Sequence, residues 1–314
     1  MRSNVTFNSN GLKIAGHLYL PDDYKKGEKR SAIVVGHPLG GVKEQTAGLY
    51  AKKLSEKGFI ALAFDASYQG ESEGEPRFLE DPFARAEDVK SAVTFLETRD
   101  EVDQEEIGAL GICASGGYVP YAAQTDRRIK AVATVSAADI GDLLRRGLTY
   151  YKAGGTSEET LEQHLEESNK ARIEEAKGMP PPRKHIVPNS PEEVPKDAPT
   201  LFREAADYYR TPRAQHPNSQ NWMLIRSMDK IAGYSSYDRV DMISPHPLLM
   251  IAGTEADTRY FSEMAINKAN DPKELFLIKG ATHIDMYDRD KYVSPAVEKI
   301  SGFFRQYLQS AGKS

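Results

Sequence analysis

Two side chains in this sequence of 314 residues have the types and the setting for covalent chemistry: the sole cysteine, Cys113, and His283. Cys113 stands in Ile107-Gly-Ala-Leu-Gly-Ile-Cys-Ala-Ser-Gly-Gly-Tyr, an apolar strand that runs straight into a helix. A nucleophile at such a junction takes the form small-x-nucleophile-x-small, because only small neighbours let strand and helix pass closely while the turn strains the central residue. Gly111, Cys113 and Ser115 fill these places. A competing frame makes Ser115 the nucleophile between Cys113 and Gly117, but it pushes the turn two residues into the helix. The bland alternative is that Cys113 is only a small buried hydrophobe, the usual fate of a free cysteine.

His283, in Lys279-Gly-Ala-Thr-His-Ile-Asp, follows the last expected strand and precedes the last helix, the right place in chain order for a general base. Of the other six histidines, His17 falls on a hairpin, His164, His185 and His216 in an insertion, and His246 beside prolines. His37 belongs to a Gly-rich loop and is expected to order it. An acid that fixes the imidazole must come from a neighbouring strand end. There the sequence reads Gly253-Thr-Glu-Ala-Asp-Thr-Arg, so Asp257 is the expected acid, with Glu255 and Asp139 as competitors. A Cys/His dyad without an acid also works, since a thiolate forms more easily than an alkoxide. The loop Gly36-His-Pro-Leu-Gly-Gly41 should supply one oxyanion donor and the residue after the nucleophile the other. Pro38 has no N–H, which leaves Leu39 and Ala114. Asp65 and the loop 69–74 read as turn-stabilising.

These residues need a scaffold, and the pattern supplies one. Residues 4–20 form two alternating runs around Ser9-Asn10-Gly11, a hairpin at a sheet edge. Apolar runs at 32–36, 60–64, 107–113, 129–135, 247–252 and 274–278 then alternate with helical stretches at 46–57, 84–97, from 115, and 297–308. Continuous apolar strands suit a parallel sheet buried on both faces. The prediction is a doubly wound, mostly parallel eight-stranded α/β sheet. The roughly 110 residues between Val135 and Pro247 far exceed the ~2–6 of an ordinary connection, so they form an inserted helical lid. The expected division is core at 1–138, lid at 139–240 and core again at 241–314. The lid should open with a helix capped by Thr156 and Glu159, pass through a Pro-rich irregular stretch at 179–199, and hold a second helix near 198–209. Its aromatic residues, Tyr150, Tyr151, Tyr208, Tyr209, Trp222, Tyr234 and Tyr237, suit a mostly apolar pocket, and Tyr150, Trp222 and Tyr237 are the expected substrate contacts. Alternatively such rings pack the insert onto the body or make a homodimer contact.

Net charge is -5 with Lys and Arg dispersed, which argues against nucleic-acid or anionic-membrane partners. No stretch approaches the ~20 apolar residues of a membrane span, and residues 1–20 lack a basic head joined to an apolar run, so a cytoplasmic location is expected. One cysteine excludes an internal disulfide and a cysteine-rich metal site, and no cofactor is expected.

The segments Gly-His-Pro-Leu-Gly-Gly-Val-Lys-Glu-Gln-Thr, Phe-Asp-Ala-Ser-Tyr-Gln-Gly-Glu-Ser and Gly-Ile-Cys-Ala-Ser-Gly-Gly-Tyr resemble the dienelactone-hydrolase-like and polyketide-transferase-like branch of the α/β-hydrolases. The resemblance covers about residues 1–140 and 245–310. It implies a cysteine nucleophile at Cys113, a histidine base at His283, and a small acyl substrate, free or carrier-bound. The dienelactone side implies a lactone substrate, the transferase side acyl transfer or thioester hydrolysis. The long insert departs from compact dienelactone hydrolases. A hydrolase or acyltransferase is therefore expected, and the contrasting class is a catalytically silent binding or scaffold protein on the same fold.

Overall fold

The computed structural model describes residues 1–148 and 158–309. In chain order the core comprises β1 (Arg2–Ser9), β2 (Leu12–Tyr19), β3 (Arg30–Gly36), α1 (Thr46–Glu56), β4 (Ile60–Phe64), α2 (Pro82–Glu97), β5 (Val102–Ile112), α3 (Ser115–Ala123) and β6 (Ala131–Val135). The insert follows, with α4 (Ile140–Arg146), α5 (Glu158–Ala176), β7 (Arg183–His185), α6 (Thr200–Arg210), β8 (Trp222–Leu224) and α7 (Ser227–Ala232). The core resumes with β9 (Leu248–Gly253), α8 (Arg259–Lys268), β10 (Lys273–Ile278), α9 (Asp285–Asp288) and α10 (Asp290–Leu308).

Eight strands make one sheet in the order β1-β2-β4-β3-β5-β6-β9-β10. Strand β2 pairs antiparallel with both β1 and β4, and every other pairing in this sheet is parallel. This is a doubly wound α/β-hydrolase sheet. Strands β4, β6 and β9 are buried at every position, as a sheet covered on both faces requires. On one face Ile33 and Val35 pack with Tyr50 and Leu54 of α1 and Ile300 and Phe304 of α10. On the other, Ala32 and Val34 pack with Val89 and Val93 of α2, Val119 of α3 and Phe261 of α8. Cys113 touches both clusters and a third, smaller one that joins α3 to the insert. The nucleophile candidate thus sits where all the packing layers meet.

The insert departs from its sequence reading in two ways. It begins with the short helix α4, N-capped by the Asp139 carboxylate, which accepts Asp142 N–H at 3.0 Å. The Pro-rich stretch is also less irregular than expected, because β7 pairs antiparallel with β8 in a separate two-stranded sheet. Thr156 lies outside the described residues, as does the Glu159 side chain. Among the described residues no helix is long and apolar enough to cross a membrane.

Candidate active site

Strand β5 ends in a turn whose pivot is Cys113, with φ at +56°. A non-glycine residue in this region costs about 1–3 kcal/mol and persists only where its surroundings impose it. Here they do. Cys113 N–H donates to Val135 O at 3.1 Å, and Cys113 O accepts from Gly116 N–H at 2.8 Å and Ala138 N–H at 2.9 Å. The closeness of strand and helix explains Gly111, since a Cβ there would lie 1.9 Å from Ser115 O. Ser115, the competing nucleophile, is buried under the turn. Its hydroxyl donates to His37 O at 2.6 Å and accepts from Arg85 at 3.3 Å, so it ties α3 to the neighbouring loop.

That loop carries Leu39 and is held from three sides. Arg85, buried on α2, donates to His37 O at 2.7 Å and to His37 Nε2 at 3.1 Å. Ala66 N–H also donates to Nε2 at 3.1 Å, which leaves the imidazole proton on Nδ1, 2.7 Å from Pro38 O. Burial and then the Arg85 charge hold His37 well below its ordinary pKa, so it stays neutral and orders the loop. Farther along, Lys43 Nζ is enclosed by Asp65 at 2.8 Å, Glu44 at 2.7 Å and Glu71 at 2.5 Å. Asp65 also accepts from Lys43 N–H and Glu71 N–H, a structural anchor between loops. The three carboxylates could surround a cation, but the lysine ammonium already fills that role. Fixed in this way, the Leu39 N–H and the Ala114 N–H both face the Cys113 sulfur. Burial pushes the Cys113 thiol up from its ordinary pKa, against the opposing pull of the Tyr287 hydroxyl and these two N–H groups.

His283 is buried in the turn between β10 and α9, its carbonyl accepting from Ser136 Oγ at 2.9 Å. Its ring nitrogens meet two hydroxyls: Thr258 Oγ1 lies 2.5 Å from Nδ1 and Tyr287 Oη 3.1 Å from Nε2. Among the described residues no carboxylate hydrogen-bonds this ring. Burial alone pushes its pKa down to about 3.

Asp257, the acid expected from the sequence, does not hydrogen-bond His283; its Oδ2 accepts Leu201 N–H at 2.9 Å, anchoring α6 of the insert. Of the other candidates, Glu255 is exposed and accepts from Thr254 Oγ1, and Asp139 accepts from Asp142 and Ser236 N–H groups. The position beside Nδ1 belongs to Thr258, one residue past Asp257. Thr258 and Tyr287 went unnoticed because neither hydroxyl leaves a periodic or charged signal in sequence.

The insert covers the elbow. Ile186, Val187, Tyr209, Ser219 and Asn221 close against Leu39 and Gly40 around a void of about 10 Å³, room for no more than one water. The Tyr209 hydroxyl is buried here, close to Cys113 and to the Tyr287 hydroxyl. Trp222 and Tyr237, expected as substrate contacts, do not line this void. Trp222 stacks on His185 at 3.8 Å with the Arg183 guanidinium also over its ring at 4.2 Å, and Tyr237 donates its hydroxyl to Gly116 O at 2.8 Å, bracing α3. Tyr150 and Tyr151 lie outside the described residues. A larger cleft of about 730 Å³ opens beyond Asp257, between 197–200 and 254–267, and neither Cys113 nor His283 lines it.

A model of the dienelactone hydrolase family matches residues 14–139. Protein YcjY of Escherichia coli (strain K12) is 38% identical over 312 residues, covering 98% of this chain and 100% of its own. Protein PA2218 of Pseudomonas aeruginosa is 39% identical over 315 residues, 97% of this chain and 80% of its own. The PA2218 crystal structure superposes with a TM-score of 0.90 at 36% identity, covering 98% of this chain and 94% of that one. The polyketide transferase grgF of a Penicillium species is 25% identical over 292 residues, 90% of each chain. The crystal structure of the α/β hydrolase GrgF from Penicillium sp. sh18 matches with a TM-score of 0.80 at 22% identity over 98% and 99% of the two chains, a likeness of fold.

Proposed function

The chain belongs to the dienelactone hydrolase family of α/β-hydrolases, and from that premise we propose that it hydrolyses or transfers the acyl group of an ester, lactone or thioester through a covalent bond to Cys113. The observation that carries the reading is the strained elbow: Cys113 at φ +56°, with the N–H groups of Leu39 and Ala114 turned to its sulfur. An attacking sulfur at that point places a substrate carbonyl oxygen against the same two donors. The thiol proton passes toward His283, and an S–C bond forms. The carbonyl electron pair moves onto oxygen, where Leu39 and Ala114 stabilise it, and collapse expels the leaving group with the proton that His283 took. Water or another nucleophile then cleaves the acyl-cysteine by the reverse sequence. Thioesters fit this chemistry well, because the bond broken and the bond formed are of one kind. The name of the polyketide transferase relative supports a choice of acceptor other than water.

Incubation with an activated acyl thioester, followed by intact-mass and peptide mapping, tests the reading. The expected result is one acyl group on the peptide holding Cys113, absent from Cys113→Ala. An adduct on Ser115, or turnover with no cysteine adduct under rapid quench, overturns it. Binding without any adduct or turnover favours the silent scaffold.

A further inference from the structure

We propose that Tyr287 is a catalytic residue of this site, its hydroxyl carrying the proton between the Cys113 thiol and His283 Nε2. The inference rests on the acyl-transfer reading and extends it. Among the described residues no hydrogen bond joins Cys113 to His283 directly. The Tyr287 hydroxyl lies 3.1 Å from Nε2 and interacts with the Cys113 sulfur, so it can reach both groups. Nothing about its position is loose. The ring is 1% exposed, with centroids 5.2 Å from Tyr208, 6.4 Å from Tyr209 and 5.5 Å from His283. Its backbone is fixed by Tyr287 N–H to Ile284 O at 2.9 Å and by Thr46 Oγ1, which donates to Tyr287 O at 3.0 Å.

The hydrogen-bond roles follow from proton counting. A neutral imidazole has one N–H; with that proton on Nδ1, donated to Thr258 Oγ1, Nε2 is left as an acceptor for the phenol. The phenol oxygen can in turn accept from the thiol. Transfer breaks the S–H bond and makes a new O–H bond as the original phenol O–H gives its proton to Nε2. The products are thiolate, neutral phenol and imidazolium, so no oxidant, reductant or external base is needed. Burial, reinforced by the neighbouring sulfur, holds the Tyr287 pKa well above its ordinary value, which disfavours a free phenolate and makes the two transfers concerted. Arg85, Tyr209 and Tyr237 also interact with the sulfur. Arg85 is committed to His37 and Ser115, the Tyr237 hydroxyl donates to Gly116 O, and Tyr209 makes no hydrogen bond to the imidazole.

Tyr287→Phe keeps the ring and removes the relay, and Tyr208→Phe removes a hydroxyl from the same cluster without touching it. The expected result for Tyr287→Phe is a fall in kcat of about a hundredfold or more on a thioester, with KM within about threefold, while Tyr208→Phe stays near wild type. A second readout follows the thiol itself: the pH profile of Cys113 alkylation in wild type, Tyr287→Phe, His283→Gln and the double variant. A relay makes the two substitutions non-additive, the double variant matching the singles. Additive shifts, or Tyr287→Phe turnover within about threefold of wild type, overturn the proposal. Fluorotyrosine at position 287 gives the same comparison if the Phe variant fails to fold, and an unchanged rate there also overturns it. Turnover surviving in Cys113→Ala would refute the underlying acyl-cysteine reading, whereas loss in Cys113→Ala with full activity in Tyr287→Phe would refute only the relay.

Discussion

At the scale of single residues, the site pairs an electrostatically quiet nucleophile with an electrostatically quiet base. Desolvation pushes the Cys113 thiol up and His283 down to about 3, so the resting pair is thiol and neutral imidazole rather than thiolate and imidazolium. The threonine at Nδ1 fixes the ring without supplying the charge that a carboxylate would. Thr258→Val should therefore free the ring to turn and lower kcat by about tenfold or more, with little change in KM. Asp257→Asn should cost less, since its carboxylate binds Leu201 N–H and an amide oxygen can still accept there. Steady-state kinetics on one thioester checks both, and a larger loss from Asp257→Asn would restore the aspartate to the catalytic machinery. The sequence offered Cys113 and His283 through motif and chain order. It could not choose between Asp257 and Thr258, because adjacent side chains beyond a strand end take directions set by packing that only the fold decides.

At the scale of elements, the strands were legible because a sheet covered on both faces writes itself as continuous apolar runs, and β3, β4, β6 and β9 are such runs. The insert was not, since β7 and β8 are three residues each and pair over long separations, from Arg183↔Leu224 to His185↔Trp222, with no local signal. We read this insert as a lid. Val187, Tyr208 and Tyr209 pack it onto the core, and its polar fastenings at the elbow side include Gln45 Nε2 to Ala214 O at 2.8 Å, Ser219 Oγ to Gly40 O at 2.6 Å, and Arg213 to Asp288 at 2.6 and 2.8 Å. The void of about 10 Å³ beside Leu39 is too small for an acyl chain, so a substrate that enters here would have to part these contacts. Arg213→Ala should raise the rate of Cys113 alkylation by iodoacetamide several-fold while leaving the fold intact by circular dichroism. An unchanged or slower rate would argue that the substrate enters by another path.

For the whole molecule, the buried imidazole of His283 links stability to pH with a definite sign. Unfolded, it returns to its ordinary pKa of 6.5; folded, it is held near about 3. Between those values the unfolded chain binds the extra proton, so the contribution is fully present above about 6.5 and is lost as pH falls toward about 3, by up to about 1.4 kcal/mol per pH unit. Asp88 and Asp139, whose carboxyls are pushed up by burial, act in the opposite direction, so the comparison should be with His283→Gln across the same pH series. Urea denaturation should show the wild type losing stability relative to the variant as pH drops, and parallel curves would place the ring in contact with water. Burial keeps His283 neutral and so able to accept a proton, and our central claim is that this proton comes from Cys113. Turnover of one acyl thioester by wild type, Cys113→Ala and Ser115→Ala tests that claim most directly. The account expects Cys113→Ala to fall by about a thousandfold or more and Ser115→Ala to stay within about tenfold of wild type; turnover retained in the cysteine variant and lost in the serine variant would contradict it.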